Sequence, residues 1–241
     1  LLDAGISCRR VTAALRELGL EPGSLSAILI THTHADHISG LQTLLKRCGA
    51  PLFATERAGR ELAWRLPDAE ARLEVLDFGA PRSIGDVVVT AVPTSHDAPG
   101  SCGFRLDTAD GAVGVLTDTG YVTDEAADAL LGVDLAVLEA NHDIETLRSG
   151  PYPYYLKQRI LGPQGHLSNV DAARFAAALA ESGASEIVLA HLSRENNTPA
   201  MAQTAVEQAL SAAGVSPLLS VAPRDCPGPA HVVCRRSVCK R

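Results

Sequence analysis

Apolar positions along this chain repeat with two periods. Val11, Ala14, Leu15 and Leu18 recur at i, i+3, i+4 and i+7, and Ile38, Leu41, Leu44, Leu45 and Cys48 follow in near-helical register, so both stretches predict amphipathic helices. Between them the run AILI (27–30) reads as a buried strand, and PLFAT (51–55), DVVVTAVPTS (86–95), DLAVLEA (134–140) and EIVLAH (186–191) read as further strands. GFRLDTADGAVGVLTD (103–118) predicts a hairpin turning at Asp110 and Gly111. Two later helices mark their own starts. Ser168 with Asp171 resembles a capping box, and Thr198 sets a cap before a first-turn Pro199. Strands alternate with helices from end to end, without an internal repeat or a low-complexity linker, which predicts an α/β architecture and one domain over 1–225. The segment SGPYPYYLKQRILGPQG (149–165) shows neither period and is expected to be a long, functional loop.

Composition narrows the picture. With 46% apolar and 20% charged residues, the 241-residue chain can bury a sizeable core. No apolar run reaches the ~18 residues of a membrane span, so no membrane partner is expected. A formal charge of −7 argues against a surface coated in basic groups, although bound divalent cations would offset part of it. Cys8, Cys48 and Cys102 are scattered, and Cys226, Cys234 and Cys239 gather near the end. That spacing suits thiols in a reducing, cytoplasmic setting better than a disulfide framework. The chain opens on LLDAG, which reads as the middle of a strand, and its only methionine is Met201. It is therefore expected to be a fragment lacking its natural start, so a missing signal peptide carries little weight.

The candidate chemistry lies in THTHADHISG (31–40), directly after AILI. Four titratable groups in one turn need something to hold them together, and a cation does so. His32 and His34 end one strand, His96 follows VVVTAVPTS, Asp118 follows VGVLT, and His191 follows EIVLA. Each group sits past the C-terminal end of an apolar strand, where α/β sheets collect functional groups. Five histidines (32, 34, 37, 96 and 191) and two carboxylates (Asp36 and Asp118) suit two borderline divalent cations, Zn2+ or Mn2+, sharing one carboxylate. Within HTHADH, His32 and His34 can reach one ion while Asp36 and His37 turn toward a second. Separate structural histidines would explain a lone case such as His231, but not this cluster.

The order HxHxDH, then His96, Asp118 and His191, resembles the metallo-β-lactamase superfamily. The resemblance implies a four-layer αββα sandwich of the α+β type with a dinuclear site. It places His32, His34 and His96 on one metal and Asp36, His37 and His191 on the other, with Asp118 bridging. The stretches LLDAGIS, EANHD, GPYPYYLKQRIL, GHLSN and HLSRENN are similar to the WalJ/YycJ group of bacterial metallohydrolases. That likeness covers about residues 1 to 225 and implies 5′-to-3′ exonuclease action on DNA. Two features depart from the pattern. The first hairpin expected upstream of LLDAG is missing, which leaves a sheet edge unpaired. The tail, 226–241, fits no standard zinc-finger spacing through Cys226, His231, Cys234 and Cys239, and is expected to be a poorly ordered basic tail.

A two-metal site lowers the pKa of a bridging water toward ~7 and clamps an in-line displacement. In that setting Asp36 is expected to orient a hydroxide nucleophile. His166, in GHLSN before a helix start, is expected to bind the scissile phosphate or protonate the leaving oxygen, with Ser168 beside it as a substrate contact. His142, in EANHD, is a further substrate contact, though a histidine bonded within its own turn explains it nearly as well. Asp3, in DAG, is expected to orient a metal-binding histidine from behind, with a plain turn residue as the alternative. Tyr152, Tyr154 and Tyr155 beside Lys157, Arg159 and Arg148 suit a nucleic-acid strand, and equally a tyrosine–proline loop that only packs on the domain. The competing activity is a small-molecule ester, thioester or lactone hydrolase with the same metal set. It needs neither the tyrosine segment nor His166.

Overall fold

The structure, a computed structural model, describes residues 1–233 and divides the chain into two compact units. One comprises 1–91 and 98–102, the other 92–97 and the residues from 103 onward. The stretch expected to be one hydrolase domain therefore holds both.

The first unit runs α1 (Cys8–Glu17), a 3-10 turn at Pro22–Ser24, β1 (Ile28–Leu29), α2 (Ala35–Ile38), α3 (Leu41–Leu45), β2 (Leu52–Thr55), α4 (Glu56–Arg65), α5 (Pro67–Glu70), β3 (Leu73–Leu76), β4 (Pro81–Ile84) and most of β5 (Val87–Pro93), whose last two residues belong to the second unit. β1, β2 and β3 are parallel neighbours in that order, with Ile28 opposite Leu52 and Leu52 opposite Leu73. Their C-terminal ends therefore share one edge. The opening LLD lies along β1, where Leu29 N–H donates to the Leu1 carbonyl and Asp3 N–H to the Leu29 carbonyl, both at 2.8 Å. Val11 and Leu15 of α1 pack with Ile28, Leu41, Leu44, Leu52 and Leu62 in one core. Each such large side chain contributes about 1.5–3 kcal/mol on burial.

The helix expected across Ile38–Cys48 is broken between α2 and α3. At the break, the backbone at Gly40 passes so close to the Ile6 carbonyl that a Cβ there would clash. Gly40 N–H also donates to the Ala4 carbonyl at 2.8 Å, and Ala4 N–H to the His37 carbonyl at 2.8 Å. The LLDAGIS segment is thereby tied to the histidine turn.

The second unit contains β6 (Cys102–Asp107), β7 (Ala112–Leu116), α6 (Asp124–Leu130), β8 (Leu135–Glu139), α7 (Ile144–Ser149), α8 (Tyr154–Leu161), α9 (Asn169–Glu181), β9 (Glu186–Ala190), α10 (Pro199–Ala212) and β10 (Leu218–Val221). β6 and β7 form the expected antiparallel hairpin, with Phe104 opposite Val115. β7, β8, β9 and β10 then pair in parallel, in that order. Leu116 faces Leu138 and Glu139 faces Ala190, so the residues just past β7, β8 and β9 emerge side by side. Leu130, Leu138, Phe175, Leu179, Ile187, Leu189, Val206 and Leu210 build this unit's own core. Thr198 caps α10, accepting from Met201 N–H at 3.2 Å.

One expectation is corrected here. Residues 154–161, expected within a long loop, form helix α8. The Pro153 carbonyl accepts from Leu156 and Lys157 N–H at 3.0 and 3.1 Å, Ile160 is buried, and Gly162 follows the last turn. Flanking prolines and glycines hid a short helix with little apolar periodicity. In the tail, His231 Nδ1 lies 2.6 Å from Glu186 Oε1. Cys234 and Cys239 of the weighed zinc set lie outside the described residues. Among the described residues no helix is long and apolar enough to cross a membrane.

Candidate functional site

In the first unit the candidate ligands follow β1 without interruption. His32 and His37 are buried, His34 is half-buried and Asp36 is exposed. The His32 ring lies 4.6 Å from that of His34 and 4.0 Å from that of His37. Behind them Asp3 accepts three hydrogen bonds. Its Oδ1 takes Thr31 N–H at 2.9 Å, and its Oδ2 takes the Thr31 hydroxyl and His37 Nδ1–H, both at 2.7 Å. Having donated its proton to Asp3, the Thr31 hydroxyl accepts from His32 Nδ1 at 3.0 Å. Both rings thus carry their proton on Nδ1 and their lone pair on Nε2. An imidazole so anchored by oxygen is the usual state of a metal ligand.

The second unit builds its cluster from four separate strand ends and one loop. His96 follows β5, Asp118 follows β7, Glu139 ends β8, and His191 follows β9. His166 precedes α9. Glu139 is wholly buried, and each of its oxygens accepts two hydrogen bonds. Oε1 receives His166 Nδ1 and His191 Nδ1, each at 2.9 Å. Oε2 receives Thr119 N–H at 3.0 Å and Leu167 N–H at 3.2 Å. Asp118 Oδ1 stands 3.6 Å from His191 Nδ1 and 3.7 Å from His166 Nδ1. His96 donates Nδ1–H to the Gly165 carbonyl at 3.0 Å, which leaves its lone pair on Nε2, 3.8 Å from Asp118 Oδ1. Gly165 is required for this contact, because a Cβ there would strike the Ile160 carbonyl.

Backbone conformation marks the same residues. Among the described residues the non-glycines with positive φ are Asp3 (52°), Asp118 (57°) and His191 (57°). Such a conformation costs of order 1–3 kcal/mol each and persists where surroundings over-determine it, often at functional sites.

Charge follows from these contacts. Burial opposes ionisation of Glu139, but hydrogen bonds from His166 and His191 hold its carboxyl far below the usual range. Burial likewise works against a charged His166, yet the hydrogen bond and charge of Glu139, with Asp118, raise its pKa above the ordinary value. Burial lowers that of His96, partly countered by Asp118. His142 is pushed down to about 4 by burial, despite Glu139.

The expected substrate contacts divide. Tyr154 and Tyr155 stand 77% and 74% exposed on α8, open to a partner. Arg159 is drawn to Asp97 Oδ2 at 2.6 Å, and Lys157 Nζ donates to the Arg148 carbonyl at 2.7 Å. Ser168 is buried as the cap of α9, its hydroxyl accepting from Asp171 N–H at 3.2 Å and donating to Asp171 Oδ2 at 2.6 Å. His142 is also buried, with neither ring nitrogen hydrogen-bonded among the described residues. Sequence reasoning missed Glu139 and Thr31. The signal for Glu139 was an acidic residue closing the apolar strand DLAVLE, a place where burial demands strong partners. Thr31 offered no comparable signal.

The donor set suits a divalent cation: imidazoles with fixed tautomers, backed by carboxylates that orient them. Comparison with known proteins agrees with this chemistry. The description "Beta-lactamase superfamily domain" matches residues 1–192. The chain is 37% identical over 221 residues to the exodeoxyribonuclease WalJ of Streptococcus pneumoniae, covering 88% of this chain and 80% of that one. It is 35% identical over 217 residues to the exodeoxyribonuclease YycJ of Bacillus anthracis, covering 89% and 81%. Among solved structures, the metallo-β-lactamase fold protein YhfI from Bacillus subtilis superposes with a TM-score of 0.66 at 19% identity, over 92% of this chain and 83% of that one.

Proposed function

Because the chain belongs to the β-lactamase superfamily, in the family that includes WalJ and YycJ, we propose that it is a metal-dependent exodeoxyribonuclease acting from the 5′ end. The observation that carries this reading is the Glu139 clamp, which holds His166 beside Asp118 and His191 and raises its pKa. The ligand set is His32, His34, Asp36, His37, His96, Asp118 and His191. These side chains would hold two divalent cations, Zn2+ or Mn2+, which would supply Lewis acidity for attack of water on the phosphodiester. Asp36, exposed at the start of α2, would orient the attacking water. His166 gives its proton to the leaving oxygen of the phosphodiester, a role favoured by Glu139, which raises its pKa. Asp3 and Thr31 fix the rings of His37 and His32. Tyr154 and Tyr155 stack on bases of the DNA. Buried free thiols at Cys8, Cys48 and Cys102 fit a cytoplasmic setting.

One observation favours a second reading, hydrolysis of a small ester, thioester or lactone. The cations expected to meet phosphates, Lys157 and Arg159, are already engaged within the protein. The test is a single panel on metal-loaded protein: 5′- and 3′-labelled duplex DNA, single-stranded DNA, RNA, a small phosphodiester and a thioester. The nuclease reading expects stepwise nucleotide release from the 5′ end of DNA. Turnover of the thioester with intact DNA would transfer the assignment to the second reading.

A further inference from the structure

Helix α4 carries Trp64, the only tryptophan of the chain, and Trp64 is 81% exposed. A tryptophan so open leaves a large apolar face in water, and since single exposed apolar side chains are common, what sets Trp64 apart is the company it keeps on its helix. The opposite side of α4 is spent on the core, through Ala58 and Leu62. Arg57 and Arg60 precede Trp64 at i−7 and i−4, so the three share the outer face. Arg60 pairs with Glu56 at 2.6 Å, an exposed pair that holds weakly. Arg57 is exposed and makes no ion pair among the described residues. With three arginines against two glutamates, α4 is locally basic in a chain of net charge −7.

Position gives this face a use. α4 begins directly after β2, the parallel neighbour of β1, so it leaves the same sheet edge as the histidine turn. One turn before Trp64 sits Glu61, close enough to His34 for the two to interact electrostatically. From Arg57 to Trp64 the helix rises about 10 Å, the length of roughly three phosphates of a stacked strand at ~3.4 Å each.

We propose that the Arg57–Arg60–Trp64 face of α4 binds a single-stranded segment of nucleic acid, with Trp64 stacked on a base and the two arginines on adjacent phosphates. This rests on the nuclease reading and adds to it a binding surface in the first unit. Tryptophan and arginine also anchor protein interfaces. The basic face next to the histidine turn favours a polyanion.

Because Trp64 is the sole tryptophan, its emission reports on this face alone. Metal-stripped protein is titrated with oligothymidylate, reading tryptophan emission and, in parallel, the anisotropy of a labelled oligonucleotide. Emission should be quenched along the same saturation curve as the anisotropy. Trp64→Ala should weaken binding at least about fivefold, and Trp64→Phe should retain most of it. Removing Arg57 and Arg60 together should flatten the salt dependence. With metal restored, Trp64→Ala should raise KM for single-stranded DNA more than it lowers kcat. Binding and cleavage with unchanged emission, and with Trp64→Ala equal to wild type, would overturn this proposal alone and point to a protein partner. Failure of the wild-type protein to bind or cleave any DNA would overturn the nuclease reading together with it.

Discussion

The first unit keeps its histidines together by sequence, and the second assembles its cluster by sheet register. His32, His34, Asp36 and His37 are neighbours along the chain, so a turn after a strand suffices to group them. Two of them are tied down through Asp3, a carboxylate with some access to solvent, which accepts from His37 directly and from Thr31, whose hydroxyl in turn accepts from His32. Asp118, Glu139 and His191 are far apart in sequence and meet because β7, β8 and β9 are parallel neighbours. Their anchor, Glu139, is wholly buried and holds His166, His191 and the backbone after Asp118 at once. Local anchoring needs little energy and tolerates damage. A buried shared anchor concentrates the function of several elements in one side chain.

That contrast can be broken by mutation. The largest effect is expected at the proposed shared ligand. Asp118→Ala should lower DNA hydrolysis by well over 100-fold, beyond the 10–100-fold typical of groups that only orient ligands. A rate within tenfold of wild type in an end-label assay would remove Asp118 from the ligand set.

Next comes His166→Ala, expected to reduce turnover by roughly 100-fold, with metal content unchanged by elemental analysis. Parallel loss of metal would make His166 a ligand instead.

Glu139→Gln should cost about 10–100-fold in rate and also move the pH profile. In the proposed reaction His166 is the proton donor, and Glu139 raises its pKa. Without that charge the imidazole deprotonates earlier, so activity should fall off at lower pH than in wild type. Against a His166→Ala background the same change should lose most of its effect on rate, because the two act as one unit. An unmoved basic limb would mean that Glu139 serves only His191. Glu139→Ala should further destabilise the fold by about 3–5 kcal/mol, the usual result of breaking a buried ionic pair, measurable by denaturant unfolding.

The first unit should prove more forgiving. Asp3→Asn keeps two of the acceptor contacts of Asp3, so the expected loss is near tenfold, with no change in the pH profile. Equal penalties for Asp3→Asn and Glu139→Gln would erase the distinction between local and shared anchoring. Smallest of all, Lys157→Ala with Arg159→Ala should change DNA affinity only a few-fold, since both cations are already held by protein groups. A steep loss of salt dependence would restore them as phosphate contacts.

The same contrast explains what could be read in advance. A contiguous motif such as THTHADH declares its chemistry in one dimension, and strand ends at 96, 118 and 191 were visible because apolar runs precede them. Glu139 was not, since its importance lies in partners 27 and 52 residues away that only the sheet brings near. Ser168 was legible as a cap, and the structure gives its hydroxyl that task. Helix α8 was hidden because Pro153 and Gly162, which usually signal irregular chain, here bound a short helix. The need for glycine at position 40 was hidden for a different reason: it comes from the Ile6 carbonyl, in a segment remote in sequence.

The central claim is that the proposed ligands hold two divalent ions, and counting bound ions tests it most directly. Elemental analysis of metal-reconstituted protein should give close to two divalent ions per chain, falling in Asp118→Ala. A wild-type count near one, unchanged by Asp118→Ala, would contradict the account.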